Sequence, residues 1–295
     1  MRSSKLSFFL NRISEVNNYL SHILFVLEQF DLDNKPLLTN KKKNEKLTTE
    51  IFSKNIQSET HNVKLSFLNE QKLQSIDFLK NTIFINVNTQ FEVYLKDVYL
   101  FKKENFDDGL KELNKFKVYE TFIENLNLTD AISDLNRSTY DYFVLRRNAL
   151  VHRDKTKLHQ GELADKIKED GKALNKNWFN YSNQLKANNS KGYTINNFNF
   201  SKRDLTTFTF DELINTINFY RLFAIQIDNL IVTDLNQDKV KEYLCAEFKT
   251  IYSDNKIYDD YSFFLKKFNH FTNNELSTQL EEEDLLKIWK RSLVW

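Results

Sequence analysis

The stretch Leu73 to Phe101, LQSIDFLKNTIFINVNTQFEVYLKDVYLF, decides the fold class. Its apolar positions Ile76, Leu79, Ile83, Val87, Phe91, Tyr94, Val98 and Phe101 recur at steps of three or four. That is the period of one helix face and not the two-residue alternation of a strand. The same step runs through Leu6, Phe9, Ile13, Val16, Leu20, Ile23 and Leu27, with Tyr19 and Leu24 widening the stripe, and predicts a first amphipathic helix. Asn105, Asp107, Asp108 and Gly109 turn the chain, and a shorter helix is expected over Leu110 to Asn125. Thr129 reads as an N-cap for a helix that carries Ile132, Leu135, Tyr142, Phe143 and Leu150 to about His152. Two capping boxes follow. Thr209-Phe210-Asp211-Glu212 opens a helix through Leu213, Ile217, Tyr220, Phe223, Ala224, Ile227 and Leu230 to about Val232, and Thr272-Asn273-Asn274-Glu275 opens a last helix holding Leu285 and Trp289.

Composition agrees with helices. The 295 residues include only 4 Gly and 1 Pro, too few for the turns of a sheet-rich fold. The 41% apolar content, with 26 Phe and 13 Tyr, supplies a packed interior, so the aromatic stripes are expected in the core. The fold class expected is all-α, an antiparallel helical bundle over 1–233 followed by a helical extension over 234–295. Residues 31–66 form a polar connection within the bundle, with Asp31 to His61 Lys-rich and holding Pro36. Lys155 to Asp204, with Gly161, Gly171 and Gly192, is the least periodic segment and reads as a long loop with helical fragments. No repeat of solenoid length is present.

Several function classes drop out. A net charge of +1 gives no global pull toward nucleic acid, so an RNA-binding surface has to be a local patch. The single cysteine, Cys245, allows neither an internal disulfide nor a Cys-based zinc cluster and reads as a small buried apolar residue. The apolar run Phe8-Phe9-Leu10 is interrupted by Asn11, Arg12, Ser14 and Glu15, and no span reaches the roughly 20 apolar residues of a membrane helix. A cytoplasmic protein without a membrane partner is expected. Four scattered glycines make neither a P-loop nor a dinucleotide turn. His152 and His159, with Glu162 and Asp165 nearby, stand seven positions apart across a helix end, so no metal and no cofactor is expected.

What remains is Arg146-Arg147-Asn148-Ala149-Leu150-Val151-His152-Arg153-Asp154, where cations and a histidine bracket an apolar patch. This segment resembles the active-site signature of the HEPN superfamily, whose members are α-helical bundles carrying an Arg, a polar residue after it, and a His four to six residues on. Here Arg147-Asn148-x-x-x-His152 fits, and the resemblance extends over Leu73 to Val232. Asp154 stands where one subgroup has a Tyr two residues after the His, which disfavours the small nucleotidyltransferase-paired branch.

The resemblance implies a metal-independent endoribonuclease. In that reading the ribose 2′-OH attacks the adjacent phosphate, His152 acts as general acid or base, Arg147 holds the phosphate, and Asn148 completes the catalytic set. The residue types suit the chemistry, which needs a proton carrier titrating near neutrality and a fixed cation. Arg146, Arg153 and Lys155 are the expected substrate-binding residues, Arg146 with structural support as its alternative role, and Lys157 extends the basic patch. On one helix Arg147 and His152 are separated by about 140° of arc, whereas Asn148 and His152, four apart, share a face. The resemblance supplies a remedy, a homodimer whose two motifs meet in one cleft, and it implies a toxin or anti-phage abortive-infection effector with RNA as substrate and an antitoxin or defence-system protein as further partner. Two alternatives stand beside it. The cations can simply complement the helix C-terminus, and the chain can be a non-catalytic module binding RNA, nucleotide or protein.

Overall fold

A computed structural model of the chain describes residues 1–40, 42–151, 172, 174–176, 178, 180, 199–200, 207–252 and 255–292. These residues are helical wherever they are regular: α1 (Ser4–Leu38), α2 (Thr48–Ile51), α3 (Leu65–Asn105), α4 (Val118–Asn125), α5 (Asp134–Val151), α6 (Phe210–Thr233), α7 (Gln237–Ile251), α8 (Tyr261–Leu276) and α9 (Glu282–Ser292). Among them the one β-type pairing is an isolated antiparallel bridge between Leu47 and Lys64. No helix among the described residues is long and apolar enough to cross a membrane.

The chain folds as two compact units, and neither is a continuous segment. One unit comprises Met1–Arg12, Thr89–Arg137 and Phe219–Trp295, the other Ile13–Asn88 and Ser138–Asn218. Residues after 234 belong to the first unit because α7, α8 and α9 share one core with Phe101, Phe106 and Val232. Phe248 sits at the middle of that core, its ring 4.6 Å from Tyr252, 4.9 Å from Phe268 and 5.6 Å from both Phe264 and Phe271. Lys102 on α3 adds an ion pair at 2.6 Å to Asp234.

The rest of the first unit is built on aromatic contacts predicted by the stripes. Phe9 of α1 meets Phe91 and Tyr94 of α3, and Phe91 in turn stacks with Phe223 of α6 at 5.5 Å. The start of α1 is fastened by Ser3. Its hydroxyl accepts the Leu6 N–H at 3.1 Å, an N-cap, while its own N–H and hydroxyl both donate to the buried carboxylate of Asp228.

In the second unit α1 runs on past the predicted stripe to Leu38, so Asp31 to Leu38 is helix and not connection, with Pro36 inside the last turn. Side chains there serve the helix: Gln29 donates to Asp33 at 2.7 Å, and Asn34 donates back to the Phe30 carbonyl at 2.9 Å. Lys72 of α3 pairs with Asp31. The connection proper spans 39–64, and α3 starts at Leu65, eight residues before the stretch that predicted it.

Three predicted helix starts move. The short helix begins at Val118 and not Leu110, because Tyr99 Oη donates to the Lys111 carbonyl at 2.6 Å and holds that segment out of a helix. Thr129 is not an N-cap. Asn127 ends α4 in a left-handed conformation (φ 53°), and Ser133 Oγ accepts the Asn136 N–H at 3.3 Å to start α5 at Asp134. The box at Thr272 to Glu275 lies inside the end of α8. Thr272 is buried and donates to the Asn269 carbonyl, Glu275 accepts from Tyr243 and Ser4, and Ser277 (φ 43°) terminates the helix. The box at Thr209 forms as expected: Thr209 N–H donates to Glu212 at 2.7 Å, and Glu212 N–H donates to Thr209 Oγ1 at 3.1 Å. Most of Lys155 to Asp204 lies outside the described residues; those described at 172, 174–176, 178 and 180 are helical. Cys245 is half-buried against the α7–α9 core.

Asp228 is 0% exposed, and burial pushes its carboxyl above the ordinary 3.8, opposed by the Ser3 hydrogen bonds and Arg2. A raised native pKa means the folded state holds the proton more tightly than the unfolded chain does. Stability therefore falls as pH rises from 3.8 through the native value and then levels off. Urea unfolding of the wild type and Asp228→Asn across this window should show the wild type losing stability relative to the variant as pH rises. Parallel pH profiles would refute the assignment.

Candidate functional site

Helix α5 carries Arg146 to Val151, the described part of the motif, on its last two turns, and the burial pattern sets which residues face outward. Tyr142, Phe143, Arg146, Ala149 and Leu150 are buried. Arg147 and Asn148 are half-buried, and Val151 is 53% exposed. At 100° per residue, Arg147, Asn148 and Val151 fall within about 100° of one another on the side opposite the buried stripe. Asn148 Oδ1 lies 3.4 Å from Arg147 Nη2, a long contact that favours their adjacency without locking it.

Arg146 lies elsewhere. Its side chain is 0% exposed, its guanidinium stacked 3.8 Å over the Phe208 ring. Phe208 itself stacks on Phe84 of α3 at 4.4 Å. Nη2 donates to the Thr207 carbonyl at 2.9 Å, Nη1 reaches Tyr142 Oη at 3.4 Å, and Nη1 stands 3.7 Å from the Glu212 carboxylate. Burial raises the Tyr142 phenol above its usual pKa, only partly opposed by Arg146, so the hydroxyl stays protonated. Of the two roles expected for Arg146, RNA contact and structural support, these contacts are those of the second. Arg146 is enclosed by its own unit and works as a clamp that fixes the rotation of α5.

Glu212 serves twice, as the third residue of the α6 capping box and as the carboxylate partner of Arg146. Sequence reading assigned it only the first role. The signal for the second was the apolar stripe itself, since Tyr142, Phe143, Ala149 and Leu150 stand three or four residues from Arg146 and put it on the buried face, where a cation needs a partner. Phe84 and Phe208 completed the clamp without any local cue.

His152, Arg153, Lys155 and Lys157 lie outside the described residues, as do His159, Glu162 and Asp165. Among the described residues no three of His, Cys, Asp and Glu converge as metal ligands. Arg147 and Asn148 are therefore the motif residues whose placement the structure gives. No family model matches the chain, and neither a curated protein nor a solved structure matches it significantly.

The two arginines should respond oppositely to truncation. Arg146→Ala leaves the Glu212 carboxylate in an enclosed site without its cation and is expected to cost about 3–5 kcal/mol. Arg147→Ala, on the outward side, is expected to stay within about 1 kcal/mol of wild type. Denaturant titrations of both variants check this, and equal losses would contradict the division of roles.

Proposed function

We propose that the chain is a metal-independent endoribonuclease of the HEPN type, with an antiparallel helical bundle of that kind, acting as a toxin or abortive-infection effector. The observation that supports it is the outward pairing of Arg147 with Asn148 on the last turn of α5, while Arg146 holds the opposite side of the helix inside. A cation left at the surface beside a polar side chain, with His152 next in sequence after Val151, provides the two functions that RNA transesterification requires.

In this reading Arg147 binds the scissile phosphate and offsets the charge that grows on its oxygens. The 2′-hydroxyl loses its proton to a neutral His152 and its oxygen bonds to phosphorus. The bond from phosphorus to the 5′-oxygen breaks, and that oxygen takes a proton from an acid. The products are a 2′,3′-cyclic phosphate and a free 5′-hydroxyl. DNA lacks the attacking group and is spared. A two-fold homodimer brings two copies of the motif together, one His152 serving as base and the other as acid. Asn148 completes the catalytic set, and Arg153 and Lys155 hold the flanking RNA backbone.

Cleavage of RNA by wild type, Arg147→Ala, Asn148→Ala and His152→Ala in buffer with excess chelator is the test. Wild type should cut RNA and leave DNA intact, and Arg147→Ala and His152→Ala should each lose at least about a hundredfold, the scale of a lost proton carrier or charge stabiliser. Retained cleavage by His152→Ala would overturn the roles assigned here, and no cleavage by wild type would replace this reading with a non-catalytic binding module.

A further inference from the structure

Phe116 is 96% exposed, the most exposed large apolar side chain among the described residues. Its backbone is held in place. The Phe116 N–H donates to Asn114 Oδ1 at 2.9 Å, and the Lys117 N–H donates to the Asn114 carbonyl at 3.1 Å. The turn is tied to α4 through Thr121, whose Oγ1 accepts the Asn114 N–H at 3.2 Å and donates to the Lys117 carbonyl at 2.7 Å. Upstream, the Tyr99 hydroxyl holds the Lys111 carbonyl, and Glu112 is engaged by Lys103. An aromatic ring is thus presented to solvent on a hydrogen-bonded turn, with Lys115 and Lys117 exposed on either side of it.

We propose that this turn is a docking point for single-stranded RNA, with one base stacked on the Phe116 ring and the neighbouring phosphates held by Lys115 and Lys117. A planar ring between two cations matches the alternation of base and phosphate along a strand, and stacking of this kind accepts any base. The exposed residues next to it along the chain, Asn114, Lys115, Lys117 and Glu120, are polar, a setting that suits a strand of alternating bases and phosphates better than a protein hot spot or a membrane-inserting face. The choice of RNA over DNA rests on the ribonuclease reading; the stacking and the phosphate contacts do not.

The experiment is fluorescence anisotropy of a labelled oligouridylate, with His152→Ala as the parent so that the strand stays whole. Adding Phe116→Ala or Phe116→Leu should weaken binding about 5- to 100-fold, while Phe116→Trp should keep it. Removing Lys115 or Lys117 should lower the salt dependence of log K by about 0.7 each. Melting temperatures should not move, since the replaced ring touches little. Binding unchanged in Phe116→Ala, or kept by Phe116→Leu as well as by Phe116→Trp, overturns the stacking site. So does Phe116-dependent sedimentation with phosphatidylserine vesicles without an RNA effect. If wild type fails to cut RNA but binding still follows Phe116, the nuclease reading falls and the docking site stands. If wild type cuts and Phe116→Ala both binds and cuts normally, the reverse holds.

Discussion

Arg146 places a guanidinium in the interior with no exposed surface. Such a group is tolerated only if its surroundings replace water. Here the Glu212 carboxylate, the Thr207 carbonyl and the face of Phe208 do so, and all three come from the first turn of α6 and the residues just before it. The clamp therefore joins α5 to the start of α6 by chemistry with few alternatives, and Phe84 extends it to α3 by stacking. Once Arg146 points inward, the outward placement of Arg147 and Asn148 follows from helix geometry alone.

The first unit depends on a milder version of the same problem. Asp228 is buried, and the N-cap residue of α1 answers it with two donors. That residue lies near one end of the sequence and its partner 225 positions away, so the contact secures the start of α1 to α6. The aromatic core around Phe248 then explains why α7 to α9 are part of this unit: their apolar faces have Phe101, Phe106 and Val232 to cover them. An extension that shares its core with α3 and α6 is not a separate domain in any energetic sense.

Phe116 stands against this pattern. Covering a phenylalanine is worth about 1.5–3 kcal/mol, and nearly every other ring in the first unit is covered, yet the Asn114 turn keeps this one in solvent. The turn is built from local hydrogen bonds and not from packing, so the ring could be buried elsewhere only by undoing them.

Period and capping chemistry were legible without coordinates. The three- and four-residue steps of Leu73 to Phe101 name α3, and Thr209 with Glu212 names the first turn of α6, because both rest on interactions within one turn of helix. At two of the three helix starts that moved, a distant group had intervened: Tyr99 claimed the carbonyl of Lys111, and Tyr243 and Ser4 claimed the carboxylate that Thr272 would have needed. The motif Arg147-Asn148-x-x-x-His152 is likewise a property of the sequence, since it depends only on residue type and spacing. The apolar stripe of α5 marks Arg146 as the arginine on the inner face, but what lets a charge sit there is not such a property. It was decided by Phe84, Phe208 and Glu212, up to 66 positions away along the chain, which supply the rings and the carboxylate that no pattern on α5 itself names.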